Sequence, residues 1–272
     1  MVRMPSPPHS RLAADSPPAL SSGRGRRLRL DERLVLEGLC PSAARAQALI
    51  LAGEVLVAGQ VVSKAGTPVD LDVAVALRHE PLPYVSRGGL KLKRALEFFA
   101  IDVTGRSAID VGSSTGGFTD CLLQAGAARV CAIDVGYGQL AWSLRSDPRV
   151  TVRERVNART LDLETLPFPP DLAVCDVSFI SQTAILPRLV QAVGPGRRPI
   201  ITLIKPQFEV EKGQVGQGGV VREKVLHDQA IARCTQAAEA LGCQVIGVTS
   251  SPLRGPAGNE EYLFYMHSPP AS

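Results

Sequence analysis

The chain has 272 residues, of which 45% are apolar and 21% are charged, as in an ordinary globular protein. That length allows a sizeable core and predicts two domains, one of them small. No apolar run approaches the roughly 18 residues of a membrane span, and no secretory signal precedes the first domain. The six cysteines are scattered without a C-x-x-C pair or a histidine at ligand spacing, which predicts reduced thiols, a cytoplasmic location and no metal site.

The net charge of +4 is unevenly distributed, since residues 1–29 carry six Arg and a single Asp and the remainder is about neutral. Residues 1–28 are also rich in Pro and Ser, which predicts a disordered basic extension. Such an extension is either a contact for a polyanion or simply a solvated tail.

Residues 29–77 predict a compact α+β module. Leucines at helical spacing mark a first short helix, and Ser42 is a good N-cap for a second. Alternating valines on either side of a short turn then predict a hairpin. The predicted elements are two helices that end near Gly38 and Gly53, a hairpin around Ala58-Gly59, and a strand at Asp72–Leu77.

The order of residues in this module resembles the S-four RNA-binding domain. The matching marks are RLD at 29–31, Ser42, ALI at 48–50, and G-x-V-x-V-x-G from Gly53 to Gly59. The usual Arg after the capping Ser is Ala43 here, with Arg45 two positions later. The resemblance implies phosphate contacts, for which the candidates are Arg29, Arg33, Arg45 and Lys64, and a solvated face is the alternative.

Residues 78–85 contain two prolines and predict a linker, followed by a helix that carries Lys91. Ser107 to Thr119 then reads SAIDVGSSTGGFT, a strand, a glycine-rich turn and the start of a helix. Its G-x-x-x-G-G spacing matches neither a dinucleotide fold nor a P-loop. Asp110 would repel a phosphate and suits a cationic ligand, such as the sulfonium of S-adenosylmethionine. A tight turn without any ligand is the alternative.

The remainder of the chain alternates strand and helix patterns, which predicts a doubly wound α/β domain over residues 86–267, with a tail at 268–272. A loop rather than a helix joins the last two strands, which narrows the prediction to a Rossmann-like, seven-stranded methyltransferase sheet. The predicted strands are Ser107–Val111, Arg129–Val135, Val150–Arg153, Leu172–Val177, Pro199–Lys205, Val245–Ser250 and Glu261–Met266, with a helix at about Arg222–Leu241 before the last two.

Polar residues lie where these strands end, and ligands bind at that rim of such sheets. Lys205 follows an apolar strand and precedes a proline, so burial and a second lysine nearby would favour a neutral amine that can act as a general base. Nearby carboxylates would favour the charged amine instead. The rim residues are Asp110, Asp134, Asp176 and Lys205, with Glu261 entering the last strand.

Five long motifs resemble the TlyA-type enzymes, which are FtsJ-like 2′-O-ribose methyltransferases with an N-terminal S-four domain. They are SRGGLKL, DVGSSTGGFTD, CDVSFIS, LIKPQFEVEKGQVGQGGVV and SPLRGPAGNEEY, and the resemblance covers about residues 29–266. It places the Lys-Asp-Lys-Glu tetrad of FtsJ-like enzymes on Lys91, Asp176, Lys205 and Glu261. Glu260 is the adjacent alternative, but the N-x-E-Y pattern selects Glu261.

The resemblance implies methyl transfer from S-adenosylmethionine to a cytidine 2′-hydroxyl in 16S and 23S ribosomal RNA, which affects sensitivity to cyclic-peptide antibiotics. We expect Lys205 to be the base, Asp176 to orient it, Lys91 and Glu261 to position the reactants, and Arg87 to join the RNA contacts. A monomer that binds ribosomal subunits is expected, without metal or membrane. The candidate cofactor-binding residues are Asp110, Gly112, Ser114, Gly116, Gly117, Phe118, Asp134, Asn157 and Asp176.

Two other functions remain open at this stage. The family also bears the name haemolysin, although no spanning segment or amphipathic aromatic helix supports a membrane-active toxin. A non-catalytic ribosome-binding protein that keeps the cofactor fold is the second alternative. For residues 207–219, a loop that RNA orders and an idle surface loop are equally open. For Tyr137 and Trp142, we favour packing beside a strand end over lining the pocket.

Overall fold

The structure is a computed structural model that describes residues 27–78 and 82–271. The chain divides into two compact units between residues 81 and 82. Most of the predicted basic extension, part of the predicted linker and the last residue of the tail lie outside the described residues. Within the described ranges, no helix is long and apolar enough to cross a membrane.

The first unit is the predicted α+β module. Ser42 caps its second helix by accepting a hydrogen bond from the backbone N–H of Arg45. Ala58 and Gly59 both have positive φ, 50° and 79°, as a two-residue hairpin turn requires. The elements are β1 Arg27–Arg29, α1 Leu30–Leu36, α2 Ala43–Leu51, β2 Val55–Val57, β3 Gln60–Val61, β4 Pro68–Asp70 and β5 Val75–Leu77.

The sheet pairing in this unit differs from the sequence prediction in two places. β5 begins at Val75 rather than at Asp72, because residues 71–73 form a turn after β4. β1 pairs with β4 in a two-stranded ladder, which the sequence pattern did not indicate because both strands have only three residues. A second sheet has the order β3-β2-β5. The two helices and the sheets enclose a small core around Leu30, Leu34 and Ile50.

The second unit is a seven-stranded sheet of order β11-β12-β10-β9-β6-β7-β8. Its strands run parallel except β12, which is antiparallel to both of its neighbours, so the predicted sheet is confirmed. Its elements are α3 Gly88–Phe98, β6 Ser107–Val111, α4 Gly117–Gln124, β7 Arg129–Ile133, α5 Trp142–Arg145, β8 Val150–Arg153, β9 Leu172–Cys175, α6 Leu186–Val193, β10 Pro199–Ile204, α7 Pro206–Glu209, α8 Lys224–Ala240, β11 Gln244–Ser250 and β12 Tyr262–His267.

The central strands are buried on both faces, which explains their unbroken apolar sequences. Every residue of β9 and of β10 is buried. Two hydrophobic clusters cover the sheet, one including α3 and α4 and the other α6 and α8. The parallel strands β6, β7, β9 and β10 therefore all end at one rim, where the polar residues lie.

Three strand ends and one loop depart from the predicted boundaries. β7, β9 and β10 each end one or two residues early, so that Asp134, Asp176 and Lys205 lie just beyond the pairing. Residues 207–219 contain most of α7 and two 3₁₀ turns rather than an irregular loop. Trp142 and Tyr137 are mostly exposed, and the Tyr137 ring contacts only the guanidinium of Arg155, just beyond the end of β8, among its aromatic and cation–π contacts in the described residues.

Candidate active site

The glycine turn after β6 brings two strand ends together. Gly112 has a φ of +84°, and a Cβ at this position would lie 2.5 Å from the backbone oxygen of Asp176. Any side chain here would therefore separate the turn after β6 from the turn after β9. Position 112 requires glycine because two parts of the chain touch there. This contact places Asp176 beside the turn.

A second close approach positions Lys91. A Cβ on Gly117, at the start of α4, would lie 2.8 Å from the backbone nitrogen of Gly89, at the start of α3. The SRGG and TGG motifs thus allow the first turns of these two helices to touch. Lys91 lies in the first turn of α3, so this packing brings its amine to the rim of the sheet.

Four charged side chains meet at this rim. Lys205 Nζ lies 2.6 Å from Asp176 Oδ1, and Lys91 Nζ lies 3.5 Å from Asp176 Oδ2. Lys91 Nζ also donates to Glu261 Oε2 over 2.6 Å. Lys205 and Glu261 are buried, and the other two are partly buried. The structure therefore brings together all four residues of the expected tetrad, in the order Lys205, Asp176, Lys91, Glu261.

Two further residues hold this arrangement and were not predicted. Lys205 Nζ donates to Ser178 Oγ over 2.8 Å. The carboxylate of Glu209, in the short helix that follows Lys205, accepts from Ser181 Oγ and the backbone N–H of Gln182, each over 2.6 Å. Glu209 thus ties the segment after β10 to the segment after β9, and burial raises its pKa. The only signals for these contacts were the SFIS and PQFE motifs.

Two neighbouring cavities open at the rim. The first, of about 390 Å³, is lined by all four tetrad residues together with Arg87, Ser114 and Phe118. The second, of about 580 Å³, has apolar walls from Ile133, Val156 and Ile185 and polar groups from Asp134 and Asn157. Gly112, Ser114, Asp176 and Ser178 border both cavities. A ligand with a flat apolar end and a charged end can therefore lie across this boundary.

The carboxylate of Asp134 stands at the wall of the second cavity. Its oxygens accept from the backbone N–H groups of Ser114 over 2.8 Å and Gly136 over 2.6 Å. Each oxygen keeps a lone pair for a ligand hydroxyl. The side-chain oxygen of Asn157 caps a 3₁₀ turn by accepting from the N–H of Arg159, which leaves its amide nitrogen for a ligand.

Asp110 does not lie where it could contact a cofactor, in contrast to the expectation from the sequence. It is fully buried behind the glycine turn and lines neither cavity. Oδ2 accepts from Thr119 Oγ1 over 2.7 Å, whereas Oδ1 has no hydrogen-bond partner in the described part of the chain. Burial, with smaller contributions from the Asp176 and Asp134 charges, raises the pKa of Asp110 to about 7. Gly116, the residue before α4, also lies outside both cavities, while Gly117 lines the first.

The expected RNA-binding residues divide into two groups. Arg29, Arg45 and Lys64 are exposed in the first unit, and Arg87 lines the 390 Å³ cavity of the second. Arg33 departs from the expectation, since it is only 3% exposed. Its guanidinium donates to Glu37 Oε1 and to the carbonyls of Asp70 and Leu71. These contacts make it a structural residue, because its buried guanidinium donates to three protein acceptors from all three of its nitrogens.

Comparison with known proteins agrees with both units. The profile of the FtsJ-like methyltransferase family matches residues 84–268, and that of the S4 (S-four) domain matches residues 28–75. The chain is 48% identical to the 16S/23S rRNA (cytidine-2′-O)-methyltransferase TlyA of Mycobacterium tuberculosis, across 89% of this chain and 91% of that protein. It is 42% identical to Hemolysin A of Brachyspira hyodysenteriae, across 88% and 99%.

A solved structure from Streptococcus thermophilus that bears a hemolysin name superposes with a TM-score of 0.67 at 39% identity, across 90% of this chain and 91% of that one. The resemblance read from the five motifs is thereby confirmed. The chain belongs to the FtsJ-like methyltransferase family, in the TlyA-type group that carries an S-four domain ahead of the methyltransferase domain.

Proposed function

We propose that this protein transfers a methyl group from S-adenosylmethionine to the 2′-hydroxyl of a cytidine in the 16S and 23S ribosomal RNAs, acting in the cytoplasm. The observation that carries the proposal is the row of four charges at the rim, in which Asp176 lies between Lys205 and Lys91. The activity named for the M. tuberculosis relative supports the choice of substrate.

The cofactor fits the second cavity and the boundary between the two. Asp134 would bind the ribose hydroxyls, Asn157 the adenine edge, and the apolar walls would pack on the faces of the ring. The charged end would then lie at Gly112 and Ser114, beside the Asp176 carboxylate. When bound, S-adenosylmethionine supplies a methyl group on a sulfonium, which becomes a neutral thioether as the methyl leaves.

Lys205 would remove the proton from the 2′-hydroxyl as the new oxygen–carbon bond forms. A hydroxyl is a weak nucleophile, so a base within hydrogen-bond reach is needed at that moment. The Lys205 amine donates to Ser178 Oγ over 2.8 Å, which orients it, and lies 2.6 Å from Asp176 Oδ1, which holds it at the cavity by charge. Lys91, held by Glu261, would position the ribose. The proton leaves on the Lys205 amine and passes to water when the product departs.

Target selection would combine the two units. Paired RNA hides most base edges, so the target nucleotide would be turned out of its helix to reach the 390 Å³ cavity. The exposed cations Arg45 and Lys64 of the S-four unit would hold nearby phosphates and carry no base specificity, whereas Arg29 is held by the buried Asp31 carboxylate over 3.0 and 2.8 Å.

The test is a transfer assay with methyl-tritiated S-adenosylmethionine and unmodified small and large ribosomal subunits. We expect label in the RNA, at a nucleotide that resists alkaline cleavage because its 2′-hydroxyl is blocked. Lys205→Ala should lower the rate about 10²- to 10⁴-fold, the usual contribution of a general base. The matched control is Lys93→Ala, an exposed lysine on α3 that lines neither cavity.

The outcomes separate the competing functions. Label that survives in Lys205→Ala would keep the methyltransferase and remove Lys205 as its base. Cofactor binding without label on either subunit would point to a non-catalytic ribosome-binding protein. Lysis of red cells by both wild type and Lys205→Ala would favour the toxin instead.

A further inference from the structure

A third cavity, of about 620 Å³, lies beside the catalytic one in the methyltransferase unit. Its walls come from residues 220–222, from the first turns of α8, and from the loop between β11 and β12. None of the candidate site residues lines it. Arg254 borders both this cavity and the catalytic cavity, so the two meet at one side chain.

The loop of residues 251–261 forms the partition between the two cavities. Glu261 faces the catalytic cavity and Glu260 faces the third, as expected for consecutive residues of an extended chain. The buried side chain of Asn259 fixes this loop, because it accepts from the N–H of Val221 over 2.9 Å and donates to the carbonyl of Gly219 over 2.8 Å. The wall of the third cavity and the tetrad residue Glu261 are thus held by the same contact.

Three cations on three segments face the third cavity: Arg222, Lys224 and Arg254. Arg222 is exposed, and its guanidinium has no ion pair or hydrogen bond within the described residues. Lys224 pairs with Asp228 at 3.1 Å and Arg254 with Glu260 at 2.9 Å. Both pairs are largely exposed, and such pairs contribute little to stability, so a phosphate can take the place of the carboxylates.

The floor of this cavity is a rigid polar pair. His227 is buried, with Nε2 2.9 Å from the carbonyl oxygen of Val221 and Nδ1 2.7 Å from the hydroxyl of Tyr262. The carbonyl can only accept, so Nε2 carries a proton and donates to Val221, while Nδ1 shares a hydrogen bond with the Tyr262 hydroxyl, which also lies 3.4 Å from Glu260 Oε2. The floor is therefore preformed, while the cations stand at the more exposed edge.

We propose that the third cavity binds the nucleotide adjacent to the methylated one, with its phosphodiester held by Arg222, Lys224 and Arg254. The inference rests on the proposed function, since it needs an RNA strand whose target ribose occupies the catalytic cavity. A strand running from one cavity to the other passes Arg254, the residue they share. A phosphate bound here fixes the register of the strand and thereby the ribose that meets Lys205.

The experiment compares the wild type with the double variant Arg222→Gln/Lys224→Gln. Each contact with a phosphate adds about one to the magnitude of the negative slope of log K against log salt, so the loss of two contacts should reduce that magnitude by about two. We expect the KM for unmodified ribosomal subunits to rise at least tenfold, with the change mainly in KM rather than in kcat. Titration with S-adenosylmethionine reports whether the cofactor site and the fold are retained.

The matched control is Lys93→Gln/Arg94→Gln, which removes the same two charges from exposed positions of α3 that line none of the three cavities. An equal loss in the control, or an unchanged salt slope in the first variant, would overturn the proposal. Cytidine monophosphate alone is the second probe. If it binds the third cavity and leaves the affinity for ribosomal subunits unchanged, the cavity is a site for free nucleotides and the proposal is also overturned.

Failure of the proposed function gives a different pattern. If wild type transfers no label, the salt-dependent affinity for subunits, measured by filter binding, still decides whether Arg222 and Lys224 contact RNA. If wild type transfers label and the double variant binds and methylates subunits normally, the third cavity is not an RNA site and the methyltransferase stands.

Discussion

Each unit contains a buried aspartate, and the two have different partners and opposite pKa shifts. Asp31 of the S-four unit accepts from the Arg29 guanidinium, the Gln47 amide and the backbone N–H of Glu32. These partners, chiefly Arg29, hold its pKa at about 2. Asp110 of the methyltransferase unit has one donor, Thr119, and a pKa raised to about 7 by burial. The negative charge of Asp31 is therefore balanced by a cation of its own unit, whereas Asp110 has no cationic partner within the described residues.

The same contrast extends to the lysines and arginines. Arg33 donates from each guanidinium nitrogen to a protein acceptor and so ties α1 to the end of β4. Lys205 also has protein partners, but it borders a cavity of about 390 Å³ in which a substrate can meet its amine. Buried polar groups that contact only protein are therefore structural, whereas those that also border a cavity are candidates for function. Three changes test this distinction, from the largest expected effect to the smallest.

Asp110→Asn should change how stability depends on pH. The folded pKa of about 7 lies above the ordinary value of 3.8, so ionisation opposes folding as pH rises between these values. The contribution of protonated Asp110 to the stability of wild type is present at pH 4 and is lost as pH rises through about 7. The side-chain amide of Asp110→Asn stays neutral over this range. The variant should thus gain up to about 4 kcal/mol over wild type by pH 8, measured by hydrogen exchange of β6 amides.

Asp147→Asn is the matched control for this experiment, because the Arg149 side chain lowers the pKa of Asp147. Its contribution is present above the ordinary pKa and lost as pH falls, so the control should show a small pH dependence of opposite sign. A pH-independent difference between Asp110→Asn and wild type would contradict the assignment of Asp110 as a proton-retaining carboxyl.

Arg33→Ala should destabilise the S-four unit by about 3 kcal/mol, because it removes a buried guanidinium that bridges two carbonyls and a carboxylate. Hydrogen exchange of α1 and β4 amides measures the loss. Arg27→Ala is the control: Arg27 pairs with Asp70 at 2.7 Å but is 65% exposed, so its removal should cost under about 1 kcal/mol. Equal effects of the two changes would show that Arg33 is not a structural residue.

Arg45→Ala should weaken binding to ribosomal subunits only a few-fold and lower the salt slope by about one, without any change in stability, since the side chain is exposed. Ala43→Arg, at the first residue of the same helix, should shift affinity in the opposite direction. Titration of subunits at several salt concentrations measures both. If neither change alters the salt slope, RNA does not contact this end of α2.

The sequence alone determined the class of fold and the four residues at the rim. Unbroken apolar strands, glycine turns and helical spacing are local signals, and they predicted all seven strands of the large sheet to within two residues at each end. The tetrad came from motifs that precede or follow these strands and helices. Parallel strands end at one edge, so the predicted topology already brings together Asp176 and Lys205. Lys91, on α3, and Glu261, ahead of the antiparallel β12, join them through packing between segments.

Only the tertiary structure decided which charges are structural and which border a cavity. Arg33 and Arg45 look alike in the sequence, yet one is buried against the turn after β4 and the other is exposed, which depends on contacts between residues far apart in the chain. Contacts between distant residues also explain the positions of Ser178 and Glu209. The same holds for the cavity that is lined by Arg222 and Arg254. Local patterns carry no information about such distances, because packing between segments sets them.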